Sequence, residues 1–164
     1  MGAPNLERGG WRGPGEVGED SVLSGRIIAC AMNVHSTLGP GLLESAYEAC
    51  LCRALSTEGL VFKRQQEIPI QFQGLNLDCG FRLDLMVEDR IVVEIKSVAN
   101  ILPLHLSQLR TYLKLSKREH GLLINFNTRH LRDGIRRMGF TIHSPASPGP
   151  PHTPLIRTAP NEPR

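Results

Sequence analysis

The stretch Phe81-Arg82-Leu83-Asp84-Leu85-Met86-Val87-Glu88-Asp89-Arg90-Ile91-Val92-Val93-Glu94-Ile95-Lys96 decides the fold, because it reads as two β-strands joined by a tight loop. Phe81, Leu83, Leu85 and Val87 recur at every second position, as do Ile91, Val93 and Ile95. That period belongs to strands. Glu88-Asp89-Arg90 form the polar turn between them. Slipping either strand by one residue would turn its apolar set to the wrong side of the sheet, so Val87 is expected to face Ile91. The same register sets Asp84 against Glu94 and Arg82 against Lys96, with the four charges on one face.

Directly opposed residues in an antiparallel pair have Cβ atoms about 4.5–5.5 Å apart, where two like charges are destabilising unless something neutralises them. A divalent cation would do so. Asp84, Glu94, the backbone carbonyl of Ile95 and a few waters suit the octahedral, all-oxygen preference of magnesium or manganese. Lys96, two residues beyond Glu94 on the same face, would then stabilise a hydroxide or a developing phosphoryl charge. The competing reading is a neutral surface quartet on solvent-facing strands, in which Arg82 and Lys96 pair diagonally with Glu94 and Asp84.

Outward from the hairpin, Leu23, Ile27, Ile28, Ala31 and Val34 are spaced at three to four residues and predict a helix over residues 21–37, stopped by Gly39. Pro40 is expected to open a second helix, with Leu43, Ala46, Tyr47, Cys50, Leu51 and Ala54 on its apolar face, Leu55 at the edge of that face and Gly59 at its end. Ile68, Ile70 and Phe72 alternate along residues 67–73 and predict a strand ahead of the hairpin, with a turn near Gly74. After the hairpin come a helix over 103–115, a buried strand over 122–126, a last helix over 131–138 and a short strand over 140–142. This order predicts an α/β domain in which helices pack on a mixed sheet.

A chain of 164 residues is expected to form one domain. Seven of its 12 prolines follow residue 144 and six of its 16 glycines precede residue 19. The folded unit is therefore expected over 21–143, between an unstructured N-terminal segment (1–20) and a proline-rich tail (144–164). Residues 21–143 carry 15 Lys/Arg against 11 Asp/Glu, a mild basicity compatible with a nucleic-acid partner without requiring one. No apolar run approaches the roughly 18 to 20 residues of a membrane span, and the N-terminus lacks a signal-peptide apolar segment, so a cytoplasmic protein is expected. Cys30, Cys50, Cys52 and Cys79 lack paired metal-ligand spacing and read as core or boundary residues.

Two helical residues are candidates for the carboxylate site. Glu44 lies at the border of the apolar face of the second helix, equally readable as a solvated edge or as a third carboxylate. Tyr47 sits one turn on, within the stripe, where a packed ring with a hydrogen-bonded hydroxyl is the plain alternative to a substrate contact. On the 103–115 helix, His105, Gln108 and Tyr112 form a polar, uncharged stripe beside Leu106, Leu109 and Leu113. It suits phosphate oxygens or simply a solvated flank. Lys114, Lys117, Arg118, Arg129, Arg132, Arg136 and Arg137 add basic groups late in the fold.

Gly41-Leu42-Leu43-Glu44-Ser45-Ala46-Tyr47 resembles the signature of the GxxExxY protein family, a branch of the PD-(D/E)XK nuclease superfamily. Val34-His35, Leu38-Gly39-Pro40, the Asp84 strand, Val93-Glu94-Ile95-Lys96, Gln108 with Tyr112-Leu113-Lys114, and Gly121-Leu122-Leu123-Ile124-Asn125-Phe126 also look like that family, and the similarity runs from about Ile27 to Met138. The resemblance implies a restriction-endonuclease-like core of helix, three antiparallel strands, helix and strand, whose members commonly cut DNA or RNA with magnesium. It implies that Asp84 and Glu94 are metal ligands, that Lys96 is the catalytic lysine and that Glu44 is the helix-borne acid. Gln108 and Tyr112 correspond to positions on the helix after the catalytic strand, and with Tyr47 they are the expected substrate contacts.

Two functions follow as expectations. One is a magnesium- or manganese-dependent nuclease acting on nucleic acid, DNA ahead of RNA. The other is a non-catalytic module that keeps the fold and binds nucleic acid or a protein. A homodimer through an exposed sheet edge is compatible with both.

Overall fold

Helix α1 (Glu19–Leu38) buries Leu23, Ile27, Cys30, Ala31 and Val34 along one stripe, as the spacing predicts, in a computed structural model that describes residues 18–77 and 81–139. It begins at Glu19, and Glu19 and Asp20 both pair with Arg90. The expectations for the segments 1–17 and 140–164, for the strand at 140–142 and for Cys79 lie outside the described residues. Gly39 ends the helix at φ 68°, a left-handed conformation that favours glycine, while its N–H donates to the His35 carbonyl at 2.8 Å.

Helix α2 (Glu44–Thr57) starts later than Pro40 suggests. Gly41 is also left-handed, at φ 103°, so the chain turns once more before helical geometry begins. Leu43 is consequently the N-cap, 77% exposed, and not part of the apolar face. That face is Tyr47, Leu51, Cys52 and Leu55, with Glu48 buried among them. Leu55 is fully buried and not at an edge.

The main sheet runs in the order β1 (Phe62–Glu67), β4 (Arg82–Val87), β5 (Ile91–Lys96), β6 (His120–Asn125), β7 (Ile135–Gly139). Neighbours are antiparallel except β5 and β6, whose parallel pairing needs the crossover helix α3 (Pro103–Ser116). Strands β2 (Ile70–Phe72) and β3 (Leu75–Leu77) form a separate hairpin, with Gln73 and Gly74 at positive φ in its turn. Helices α1 and α2 cover one face of the main sheet, packing on Leu85, Val87, Val93, Ile95, Leu122 and Ile124. Leu109, Tyr112 and Leu113 of α3 cover the other, on Met86, Val92 and Leu123. This mixed α/β sandwich is the restriction-endonuclease-like class expected from the resemblance.

The hairpin register holds: Val87 faces Ile91, Met86 faces Val92 and Leu85 faces Val93. Three expectations around it change. Strand β1 is an edge strand with mostly exposed, polar side chains, so it carries no alternation by which to be recognised. The single strand expected over 67–73 is divided at Pro69, whose ring cannot donate to a ladder, between the end of β1 and β2. The helix expected over 131–138 is a single 3₁₀ turn, Leu131–Gly134, followed by β7. There Ile135 pairs with Ile124 and Gly134 packs on the Asn125 carbonyl too closely to admit a Cβ.

Candidate active site

The four charges of the hairpin do not form a surface quartet, because the face that carries Glu94 and Lys96 lies beneath α3. Glu94 is 3% exposed, and the Lys96 ammonium donates to Glu94 Oε1 at 2.7 Å. Arg82 is turned away and pairs with Glu67 at 3.2 Å. The last backbone pair of the β4–β5 ladder is Leu85 with Val93. Beyond it the Asp84 side chain takes over, with Oδ2 accepting the Ile95 N–H at 2.8 Å.

Strand β4 also changes face at this point. Leu85 and Val87 pack toward α1 and α2, whereas Leu83 and Phe81 pack with Met86, Leu109 and Tyr112 toward α3. The unbroken alternation expected from Phe81 to Val87 therefore fails at Asp84, where the strand is irregular.

Burial is the largest influence on both acids. It raises Asp84 above the usual carboxylate range, although the Ile95 N–H opposes the change. Burial and then the adjacent Asp84 charge push Glu94 up to about 7, with Lys96 pulling the other way. Burial is the largest single influence on the Lys96 ammonium and would lower it, but its hydrogen bond to Glu94 and the charges of Glu94, Glu44 and Asp84 together outweigh burial and the group is raised. Tyr112 is raised by burial first and then by the nearby Glu94 charge, which places it electrostatically within the same site.

Glu94 Oε2 is buried and has no hydrogen-bond partner among the described residues. A buried carboxylate oxygen without a partner is costly, and a hard cation would satisfy it. Among the described residues no three His, Cys, Asp or Glu side chains gather as ligands. The available donors are two carboxylates and the Ile95 main chain, whose N–H, and with it the carbonyl, faces the β4 side of β5. The Lys96 carbonyl is occupied by the Phe126 N–H at 2.8 Å. A sparse all-oxygen set fits magnesium or manganese, which retain several waters.

Glu44 reaches the end of β5 beside Lys96, and after the larger influences named above its charge also raises Asp84, Glu94 and Lys96. Its Oε1 accepts the Ser97 N–H at 3.0 Å, while Ser97 Oγ donates to the Leu42 carbonyl at 2.5 Å. Tyr47, expected at the substrate, is fully buried and stacked on Phe126 with ring centroids 4.5 Å apart. Its hydroxyl donates to the Gly39 carbonyl at 2.6 Å and accepts the Leu42 N–H at 3.2 Å. Gly41, Glu44 and Tyr47 thus operate as one unit that shapes the loop before α2 and ties it to the end of β5.

On α3, Gln108 is half-buried, whereas His105 is spent on the helix start, where Nδ1 accepts the Leu102 N–H at 3.1 Å. Several of the late basic groups are paired locally. Arg118 binds Asp89 at 2.6 Å, and Arg136 donates to the Asp133 and Ile135 carbonyls. Cys30 and Cys52 are buried and Cys50 is half-buried, all as free thiols.

Sequence reasoning missed what Asn125 and Glu48 do. Asn125, 1% exposed, holds the segment after Lys96 from both sides: its Oδ1 accepts the Val98 N–H at 3.0 Å and its Nδ2 donates to the Val98 carbonyl at 2.8 Å. Glu48 accepts from Arg64 Nε at 2.9 Å and from Gln65 Nε2 at 2.7 Å. The one signal for Glu48 was its position a turn beyond Glu44 on the same helix.

A mixed five-stranded sheet with two acids and a lysine on adjacent central strands, roofed by helices on both faces, defines a restriction-endonuclease-like protein. The family model of the PD-(D/E)XK nuclease superfamily matches residues 21–138, and the chain belongs to that superfamily. No curated protein and no solved structure matches it. Among the described residues no helix is long and apolar enough to cross a membrane.

Proposed function

We propose that this chain is a magnesium- or manganese-dependent phosphodiesterase that cuts nucleic acid, DNA ahead of RNA, and that it belongs to the GxxExxY branch of its superfamily. The observation that carries this reading is Glu94, a carboxylate buried beside Asp84 with one oxygen on Lys96 and the other without a partner among the described residues. Asp84, Glu94 and the Ile95 carbonyl would hold the cation. When bound, the cation supplies Lewis-acid stabilisation of the negative charge that grows on the phosphodiester.

The chain's own groups do the rest. Lys96 keeps a positive charge at the site and steadies phosphate oxygens as their charge increases. Tyr112 and Gln108 on the adjoining flank of α3 are neutral hydrogen-bonding groups suited to orienting a backbone phosphate. Glu44 and Asn125 hold the two residues just past Lys96, Ser97 and Val98, which limits how far the lysine can drift. The Gly41, Glu44 and Tyr47 unit supports the branch assignment.

The test is cleavage of single- and double-stranded DNA and RNA with magnesium or manganese. Wild-type cutting that is lost in both Asp84→Asn and Lys96→Ala supports the reading. Activity unchanged in both variants overturns it, and salt-sensitive nucleic-acid binding indifferent to cations would instead indicate a binding module.

A further inference from the structure

We propose that Glu48 and Gln65 are positioning residues for Asp84, creating the irregularity in β4 that presents its carboxylate. This inference rests on the metal-site reading above.

In the β1–β4 ladder Phe62, Lys63 and Arg64 pair with Val87, Met86 and Leu85, and Gln66 and Glu67 pair with Leu83 and Arg82. The one pair missing within that run is Gln65 with Asp84. Gln65 is left-handed, at φ 48°, a conformation that side chains with a Cβ rarely adopt. On the other side of Asp84 the β4–β5 pairing has also stopped, at Leu85 with Val93. Asp84 therefore has no ladder partner in either neighbouring strand, and there β4 exchanges the α1–α2 face for the α3 face.

An unpaired residue in a central strand needs a cause. Backbone irregularities beside active sites persist where surrounding structure over-determines them. Glu48 is 7% exposed on α2, and both of its carboxylate oxygens are engaged, Oε1 by Arg64 Nε and Oε2 by Gln65 Nε2 at 2.7 Å. It thus holds the left-handed residue and the residue before it on one rigid helix. With Gln65 held there, its backbone does not pair with Asp84. The Asp84 carboxylate then accepts the Ile95 N–H and lies beside Glu94. Were Gln65 to relax to extended geometry, β1 and β4 would pair continuously and Asp84 would be drawn back into a regular ladder.

Three variants separate positioning from mere stability. Glu48→Ala removes the anchor. Gln65→Val disfavours left-handed backbone because the new side chain is β-branched. Gln65→Gly in the Glu48→Ala background tolerates φ 48° with no anchor. Manganese affinity is measured by calorimetry on chains shown folded by circular dichroism, and hydrogen exchange of the Ile95 amide is measured without metal. Loss of supporting contacts around a metal site typically weakens binding about 10- to 100-fold. Glu48→Ala and Gln65→Val are each expected to weaken manganese binding about tenfold and to change Ile95 amide protection, and the double variant is expected to restore both.

Wild-type affinity and Ile95 protection in folded Glu48→Ala and Gln65→Val would overturn the proposal, as would failure of Gln65→Gly to rescue. If the wild-type chain binds no manganese, the metal-site reading fails by itself. The Ile95 amide then still decides whether Glu48 and Gln65 set the geometry at Asp84.

Discussion

Replacing Glu94 by glutamine probes the buried carboxylate most cleanly, because the amide keeps the shape and removes the charge. The carboxyl is held at about 7 in the fold, by burial and then by the Asp84 charge, against an ordinary 4.5. The native state therefore binds more proton than the unfolded chain between those values, and stability falls as pH rises through that window. The contribution is complete below about pH 4.5 and lost by about pH 8, and it amounts to about 3 kcal/mol, since each pH unit of difference is worth about 1.4 kcal/mol. Glu94→Gln removes this dependence. Urea denaturation followed by circular dichroism at pH 4.5 and pH 8, without divalent metal, should show the variant gaining about 3 kcal/mol on wild type between the two. At pH 8, manganese at a hundredfold its dissociation constant should stabilise wild type by about 2.7 kcal/mol and leave the variant unmoved. Parallel pH profiles for the two proteins would refute the reasoning, because Glu94 would then titrate alike in the folded and unfolded chains.

Lys96→Ala removes the ammonium bonded to Glu94 and should lower nuclease turnover by about 10²- to 10³-fold, while manganese binding measured by calorimetry at pH 8 persists. Tyr47→Phe deletes the hydroxyl that joins the Gly39 carbonyl to the Leu42 N–H and should cost about 1–2 kcal/mol in urea denaturation, with the Phe126 stacking intact. Asn125→Ala leaves the Val98 N–H and carbonyl without their side-chain partners. It should cost about 2–4 kcal/mol of stability and lower activity in the fraction that stays folded, read by denaturation and by cleavage assays.

The hairpin was legible because Leu85, Val87, Ile91 and Val93 are apolar residues whose misregister would be costly, and that constraint alone set Asp84 and Glu94 on neighbouring strands. Helix α3 was legible from Leu109 and Leu113, one helical turn apart, and strand β6 from the short apolar run Leu122, Leu123 and Ile124, all fully buried. The edge strands were not. The side chains of β1 are mostly exposed, and β7 sets Arg136 and Arg137 outward within a segment whose apolar spacing also suits a short helix.

At the site, residue types could be read but their connections could not. Glu44 bonds Ser97, Tyr47 closes the loop before its own helix, and Glu48 grips a strand that follows it in the chain. Each is a contact between elements whose sequences carry no mark of the partner. The change of face at Asp84 was hidden by the regular alternation of Phe81, Leu83, Leu85 and Val87, which continues in sequence where the strand itself does not.

Anomalous diffraction from crystals of the full chain soaked in manganese tests the metal centre most directly. The expected result is an ion touching Asp84 and Glu94, with the Ile95 carbonyl turned to it and the free Glu94 oxygen engaged. Crystals saturated with manganese that show no density between those two carboxylates, with Lys96 still bonded to Glu94 at about 2.7 Å, would contradict the account.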